Sequence, residues 1–477
     1  MLRKNPALEI PADAPFKFDQ LDRALPVKNL TRLIASITQP FVLSIEAPWG
    51  QGKTTFVRMW KAHLESESYP CVYFNAWETD FVDDPILPLV GEMLPLVQRE
   101  LGEASPHPRV GEFWRAVSTL GGGALRKALP LAASLATHSL VTAGALQVGA
   151  ELASHAAKEV ADYAEDIAKE RLKEYEAEKR NILSFRDNLA KLAKAISSSR
   201  RSSGPLVFFV DELDRCRPNY ALALLERMRH LFAVDGIAFV LSLDRAQLEN
   251  SLRAVYGPSL DVDAYLRRFF DLRFRLPNPD IEKYCTFLFR TFRLEEPFAN
   301  RREGQAEAEA LLTHLKEMAR INELGLRDVD HCFTEVNLVL RTTGPRFFIY
   351  PELLAFLVVT KLRRPKHYDA LHRGLDRPGI DEILAPYKDS SLDTWILGRV
   401  EMALVAAYLP EADRLSFVNG LRKSAEAASG PEHRRLRAMI GFLDGGLLID
   451  NRLALPYLVS RIDLTRDFIK ELDNSTQ

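Results

Sequence analysis

The chain up to Leu276 alternates between short apolar runs and segments with helical spacing. The apolar runs are rich in β-branched and aromatic residues and lie at 41–45, 71–74, 206–210 and 237–243, and a last strand is predicted at 272–276. Runs of this length without polar alternation are typical of strands that are buried on both faces. Because helical segments separate them, the pattern predicts an α/β fold with a parallel sheet.

Apolar residues three and four positions apart predict the helices. In the sheet region the predicted helices lie at 27–37, from 54 onward, and at 85–101, 220–230, 245–256 and 263–270. Beyond Pro277 they lie at 281–292, 306–321, 327–341 and 351–362, and residues 390–477 continue as amphipathic helices without a chemical motif. This part of the chain therefore predicts an all-helical lid followed by a helical C-terminal region.

The stretch 102–204 separates the two halves of the predicted sheet and is too long for an ordinary loop. Its residues 128–150 carry no formal charge and are long enough to cross a bilayer, but they contain few large apolar residues. Two interpretations stay open for them: a segment embedded in or touching the inner membrane, and a small-residue helical hairpin packed on protein. We expect residues 120–200 to be helical and to project from the core of a mainly cytoplasmic protein.

These patterns divide the chain into six parts. They are a loose N-terminus (1–16), the first half of the sheet domain (17–101), a helical insertion (102–204), the second half of the sheet domain (205–277), a helical lid (278–375) and a C-terminal helical region (376–477). Each of the larger parts is long enough to contribute to a buried core.

Composition narrows the function classes. The chain is 47% hydrophobic and 27% charged, which is typical of globular proteins, and its net charge of −2 gives no global reason to expect a nucleic-acid binder. The four cysteines are far apart, which disfavours a disulfide framework or a zinc ribbon and indicates a reducing compartment. The densest basic run, 361–366, has two interpretations: a nucleic-acid contact, or a solvated helix end that faces a protein partner.

A glycine loop joins the first apolar run to the helix that follows it. Strand, glycine loop and helix form the context in which backbone N–H groups wrap a triphosphate. The predicted phosphate-binding residues are Pro48, Trp49, Gly50, Gln51, Gly52, Lys53, Thr54 and Thr55. Lys53 is expected to reach the β- and γ-phosphates of ATP, Thr54 to bind Mg²⁺, and Thr55 to donate to the α-phosphate. Position 47, where the usual pattern has glycine, is alanine.

The apolar run 206–210 leads directly into acidic residues. Asp211, at the predicted carboxyl end of this strand, is expected to hold Mg²⁺, and Glu212 to polarise the attacking water. Asp214 is the next candidate for the base. No N-K-x-D run typical of guanine recognition is present, which disfavours a GTPase.

Further candidates follow the other strands. Ser242 and Asp244 are placed to sense the γ-phosphate, or Asp244 simply caps the next helix. Arg267 and Arg268 are either surface residues or the arginines that complete a neighbouring subunit's phosphate site, which predicts a homo-oligomer. In the predicted lid, Arg346 is the candidate from the same chain.

Trp77 follows the second apolar run. Its side chain has two interpretations. One is packing in the core, which we favour. The other is a strand-end residue near the nucleotide.

The chain resembles the KAP family of P-loop NTPases over about residues 17–350. The resemblance rests on the segments 48–54 (PWGQGKT), 74–77 (FNAW) and 210–216 (VDELDRC). The family takes its name from a eukaryotic ankyrin-repeat membrane scaffold and a plasmid-borne phage-exclusion protein, and it often has a transmembrane hairpin where this chain has its insertion. The resemblance implies an additional-strand P-loop core of the AAA and STAND type, and ATP hydrolysis that drives a conformational switch, often in defence against phage.

Two hypotheses therefore stand. The first is a Mg²⁺-dependent ATPase that acts as a switch or motor, with protein partners encoded nearby. The second is a nucleotide-gated scaffold, with or without membrane association, that binds ATP and turns it over slowly or not at all. Glu212 favours the first hypothesis, and Ala47 is compatible with the second.

Overall fold

The computed structural model describes residues 10–82, 84–101, 180, 182–198, 204–229, 231, 233–299, 304–343, 349–388, 390, 392–444 and 448–463. The chain divides into two compact units between Pro277 and Asn278. The uncharged segment 128–150 and most of the predicted insertion lie outside the described residues. Within the described ranges, no helix combines the length and the apolar character needed to span a membrane.

Five parallel strands form the sheet of the first unit. In chain order they are β1 (Phe41–Glu46), β2 (Cys71–Asn75), β3 (Leu206–Asp211), β4 (Ile237–Leu243) and β5 (Leu272–Arg275). Their spatial order is β2-β3-β4-β1-β5, which confirms the predicted α/β fold. Val240 of β4 pairs with Leu43 on one side and Phe209 on the other, so β4 is the additional strand between β1 and β3.

Successive residues of the central strands pack on opposite faces of the sheet. On one face, Val207 and Phe209 pack against α1 (Ala24–Ala35) and α2 (Lys53–Ser66). The Trp60 ring of α2 meets the Phe209 ring edge-on, with 5.4 Å between the ring centroids. This double-sided burial explains why the run 206–210 is apolar without alternation.

The other face of the sheet packs against helices from both halves of the domain. Those helices are α3 (Ile86–Gly91), α4 (Leu94–Leu101), α5 (182–198), α6 (Pro218–Met228), α7 (Arg245–Tyr256) and α8 (Val262–Leu266). The first unit therefore has three layers, with the sheet in the middle and a separate apolar cluster on each face.

The segment predicted as one helix over 85–101 forms two, because α3 ends at Gly91 and α4 begins at Leu94. Pro95 has no N–H to donate, and its ring would clash with the carbonyl of Gly91 in a continuous helix. The break before Pro95 lets both helices place apolar residues, including Leu89 and Val97, on the same cluster.

The end of the predicted insertion does not project from the core. Residues 182–198 are helical, as expected, but Phe185, Leu189, Leu192 and Ile196 are buried in the cluster on the α3 face of the sheet. These apolar residues recur at three- and four-residue spacing, which gives α5 a stripe that must be covered. The expectation of projection is wrong for this part of the insertion.

The segment predicted as one helix over 263–270 is also shorter in the structure. The helix α8 ends at Leu266, and Arg267 and Arg268 lie in the turns that follow. The N–H of Phe269 donates to the Leu266 carbonyl at 3.0 Å, a tight turn that buries Phe269 and Phe270. Burial of these two rings turns the chain away from the helix axis.

The described residues of the second unit are helical. The helices are α9 (Ile281–Thr291), α10 (Gly304–Ile321), α11 (Leu326–Thr342), α12 (Pro351–Arg363), α13 (Pro365–Arg373), α14 (Arg377–Lys388), α15 (Thr394–Tyr408), α16 (Glu411–Ala427), α17 (Gly430–Asp444) and α18 (Leu448–Asp463). One apolar cluster connects them, with Phe333, Phe356 and Tyr387 fully buried. The predicted helical character of this region is confirmed.

The helix α15 is not amphipathic, contrary to the expectation for residues 390–477. Most residues between Ile396 and Ala406 are buried, because α12, α14, α17 and α18 surround it. Its Glu401 is 1% exposed and accepts hydrogen bonds from Arg377 and Arg435, which balance the buried charge.

The basic run 361–366 is engaged within the second unit. Lys361 Nζ lies 3.1 Å from a Glu335 oxygen and 3.4 Å from an Asp463 oxygen. The Arg364 guanidinium donates to the side chains of Asn322 and Tyr387. These contacts do not test whether the run faces a nucleic acid or a protein partner, so both interpretations stay predictions.

Candidate functional site

The carboxyl ends of three central strands carry the predicted chemistry. Ala47 and the glycine loop follow β1, Asp211 ends β3, and Asp244 follows β4. In open parallel sheets, ligands bind beyond the carboxyl ends of the strands. The sheet therefore brings the glycine loop and residues 211–214, the acidic run, to one edge.

The loop between β1 and α2 has left-handed backbone at its two glycines. Gly50 has φ 77° and Gly52 has φ 81°, values that side chains disfavour. Within the fully described loop 47–52, no other residue has positive φ, so Ala47 needs no special backbone conformation. The alanine in place of the usual glycine is therefore compatible with this loop.

Lys53 begins α2 and is buried beneath the loop. Its ammonium donates to the carbonyl oxygens of Ala47 at 2.7 Å and Pro48 at 3.3 Å. Burial lowers the pKa of Lys53 below its ordinary value, and the nearby carboxylate of Asp214 opposes this shift. Gly52 offers no side-chain cap, so the N–H groups of the first turn are available to an anion.

Asp211 is 1% exposed and is fixed by two hydrogen bonds. One oxygen accepts from the Tyr73 hydroxyl at 3.0 Å, and the other accepts from the Glu212 N–H at 2.9 Å. Burial, with the neighbouring Asp211 charge, raises the pKa of Tyr73 above its ordinary value, which keeps the phenol a donor.

Sequence reasoning missed Tyr73. The period-two pattern of β2, which places Tyr73 and Asn75 on one face, was the available signal.

Glu212 has left-handed backbone, with φ 61°, which is a strained conformation for this residue type. One of its carboxylate oxygens lies 2.6 Å from Arg215 Nη1, and the other accepts from Asn75 Nδ2 at 3.3 Å. In this conformation the predicted base is paired with a guanidinium and an amide.

Trp77 is 52% exposed, so the favoured expectation of core packing is wrong. Its ring lies against the Arg215 guanidinium, 5.6 Å from the ring centroid, and its backbone N–H donates to Asn75 Oδ1 at 3.1 Å. A short 3₁₀ turn after β2 directs the indole outward, beside the pair that Arg215 forms with Glu212.

Two buried carboxylates, one after β3 and one after β4, accept hydrogen bonds from the loop. Asp214 accepts from the indole N–H of Trp49, and Asp244 accepts from the Trp49 backbone N–H at 3.0 Å. Burial raises the pKa of Asp214 above its usual range, while the Lys53 charge and the indole hydrogen bond lower it. Asp244 also accepts from the Ala246 N–H at 3.1 Å, so it caps α7 and contacts the loop at once.

Three buried polar atoms in this region make no hydrogen bond with any described residue. They are Gln51 Oε1 in the loop, Asp214 Oδ1 after β3 and Ser242 Oγ near the end of β4. Buried polar groups in native proteins normally have partners, which include ligands and ordered water. Beside the buried Lys53 ammonium, the Ser242 hydroxyl can donate to a nucleotide, whereas Gln51 Oε1 and Asp214 Oδ1 can only accept and suit a water molecule or a metal ion.

The comparison with protein families agrees with this geometry. The model of the KAP family P-loop domain matches residues 23–326. The chain belongs to this family. The matched part includes the loop, the acidic run and the whole sheet of the KAP domain, and P-loop domains of this kind bind nucleotides. A comparison with curated proteins finds no match.

The structure describes two of the three candidate arginines. Arg267 and Arg268 are exposed in the turns after α8. Arg346 lies beyond the family match and outside the described residues. The role of each arginine stays a prediction.

Proposed function

We propose that this KAP domain binds ATP with Mg²⁺ and hydrolyses it, and that hydrolysis drives a conformational switch. The observation that carries the proposal is the convergence of Lys53 with Asp211 and Glu212 at one edge of the sheet. A buried ammonium under a glycine loop suits phosphate oxygens, and an acidic pair at the end of β3 suits a metal ion and a water molecule.

Binding requires Lys53 to exchange its two carbonyl acceptors for phosphate oxygens. The loop N–H groups and the first turn of α2 would receive the remaining phosphate oxygens, with Thr55 among the donors. Thr54 and Asp211 would hold the metal ion, and the ion would neutralise charge on the β- and γ-phosphates. Tyr73 orients Asp211 for this role through its hydroxyl donor.

Hydrolysis requires the Glu212 carboxylate to orient and polarise a water molecule. A carboxylate whose two oxygens are engaged by Arg215 and Asn75 is not free to orient a water molecule. We therefore infer that Glu212 leaves Arg215 and Asn75 during the catalytic cycle.

Arg215→Ala should raise basal ATP turnover by about twofold to fivefold, because a partly exposed ion pair contributes up to about 1 kcal/mol. Steady-state phosphate release checks this result. Arg227→Ala, which removes an exposed arginine of α6, is the matched control. Turnover that falls in Arg215→Ala would mean that the guanidinium assists the reaction.

The second candidate function is a nucleotide-gated scaffold with little turnover. The pairing of Glu212 with Arg215 and Asn75 favours it, because a base held in this state permits binding without hydrolysis. The two functions differ in one observable: the scaffold binds ATP and changes conformation, but releases no phosphate.

We further propose an ATP-promoted homo-oligomer in which Arg267 or Arg268 completes the site of a neighbouring subunit. Exposure of both side chains supports this role. Arg267→Ala/Arg268→Ala should lower turnover on the order of 100-fold, since one preorganised donor at developing charge has about that effect.

A mixing experiment tests the arrangement of subunits. An inactive Lys53→Ala subunit should supply its arginines to the Arg267→Ala/Arg268→Ala subunit and partly restore phosphate release. No restoration at any ratio, with a monomeric mass in ATP, would contradict the shared site. Arg346 of the same chain would then be the remaining candidate.

The biological role is proposed from the family resemblance alone. Defence against phage, with partners encoded nearby, predicts that the protein protects cells in a phage challenge and that Lys53→Ala does not. Capture of the neighbouring gene products with the wild-type protein identifies the partners, and equal survival of both strains would contradict the role.

A further inference from the structure

Trp49 donates hydrogen bonds to residues that follow two strands, both distant from it in sequence. Its backbone N–H donates to Asp244, which follows β4, and its indole N–H donates to Asp214, which follows β3. Both carboxylates are buried, with 7% and 5% exposure, whereas the Trp49 side chain is 44% exposed. A large apolar ring is therefore kept at the surface by polar contacts beneath it.

We propose that Trp49 is a positioning residue that fixes the phosphate loop to β3 and β4 through Asp214 and Asp244. The proposal rests on the nucleotide binding proposed above. Its importance follows from the position of Trp49 in the loop, because the carbonyls of Ala47 and Pro48, just before it, are the acceptors of the Lys53 ammonium. The orientation of residue 49 therefore helps to set where the ammonium lies.

The indole suits this role better than any smaller aromatic ring. It carries one N–H donor on a rigid frame with two rotatable bonds, so it spans from the loop to Asp214 with one defined geometry. A phenylalanine keeps the ring but lacks the donor. Without the indole N–H, the buried Asp214 carboxylate would lose its hydrogen bond from residue 49. Its other oxygen already has no partner among the described residues.

The same contact links the loop to the acidic run. Asp214 lies two residues after Glu212, in the short 3₁₀ turn that also contains Arg215. A shift of the loop on nucleotide binding is therefore transmitted to the turn that holds the predicted base. The role of Asp214 is then to position the loop, and it is not the base.

Amide hydrogen exchange of the nucleotide-free protein tests the proposal without assuming any activity. The variants are Trp49→Phe, Asp214→Ala, which leaves no acceptor for the indole N–H, and the double substitution, with Trp395→Phe in the second unit as the matched control. Each single substitution should speed exchange of residues 47–52 by about tenfold, and the double variant should be no faster than the singles. The control should exchange like the wild-type protein.

Kinetics then separate positioning from stacking on the nucleotide. Loss of positioning predicts that Trp49→Phe lowers kcat about tenfold with a smaller change in KM, and that Asp214→Ala has no further effect in the double variant. Wild-type exchange at residues 47–52 in Trp49→Phe, or effects of the two substitutions that multiply, would overturn the proposal. If the variants exchange faster at residues 47–52 but the wild-type protein neither binds nor hydrolyses ATP, the proposed function is overturned and the positioning contact stands.

Discussion

Glu212→Gln should bind ATP as the wild-type protein does and lose about 1,000-fold in turnover, since a positioned general base contributes about two to four orders of magnitude. Glutamine has the shape of glutamate, and its one amide oxygen can still accept from Arg215 or from Asn75, but it cannot polarise water as a carboxylate does. Asp211 keeps both of its hydrogen bonds in this variant, so the proposed metal site survives.

Two measurements on one preparation separate these effects. Calorimetric titration gives the affinity for ATP with Mg²⁺, and phosphate release gives the turnover. Glu67→Gln, which changes an exposed glutamate at the end of α2, is the control for an amide replacement. Wild-type turnover in Glu212→Gln would mean that the base lies elsewhere, and it would favour Asp214, the remaining carboxylate of the run.

Lys53→Ala should weaken ATP binding by at least about 100-fold and abolish measurable turnover, because it removes a charged donor to phosphate from a buried position. The ammonium has no substitute in the loop, where the other contributors are backbone N–H groups. Calorimetric titration of ATP with Mg²⁺ measures the loss.

Lys61→Ala is the matched control for this variant, because Lys61 lies on the same helix in a surface ion pair with Glu65. Lys53 also bonds to two loop carbonyls, so Lys53→Met, which fills the same volume, guards against a packing effect. Undiminished ATP affinity in both Lys53 variants, with unchanged thermal unfolding, would remove this loop as the phosphate site.

The fold could be predicted because its central strands are buried on both faces. Phe208 and Phe209 are adjacent apolar residues that pack on opposite clusters, and such a pair is typical of a central parallel strand. The errors arose where tertiary packing decides the local conformation. Phe269 and Phe270 turn the chain after α8, and nothing in the local pattern distinguishes that turn from a continued helix.

The site could be predicted in part for the same reason. Lys53 and Asp211 are recognisable because each belongs to a local pattern of strand and following residues. The bond between Trp49 and Asp214 joins residues 165 positions apart, and a single sequence has no signal for it. The exposed position of Trp77 depends on a three-residue turn and on the Arg215 side chain, which short-range patterns do not specify.

The central claim is that this KAP domain hydrolyses ATP at the edge formed by β1, β3 and β4. The most direct measurement is the release of inorganic phosphate from ATP by the purified wild-type protein, with Mg²⁺ and with excess chelator, beside Lys53→Ala. We expect saturable release that requires Mg²⁺ and is absent from Lys53→Ala. If the wild-type protein binds ATP but releases no more phosphate than Lys53→Ala does, hydrolysis at this edge is ruled out.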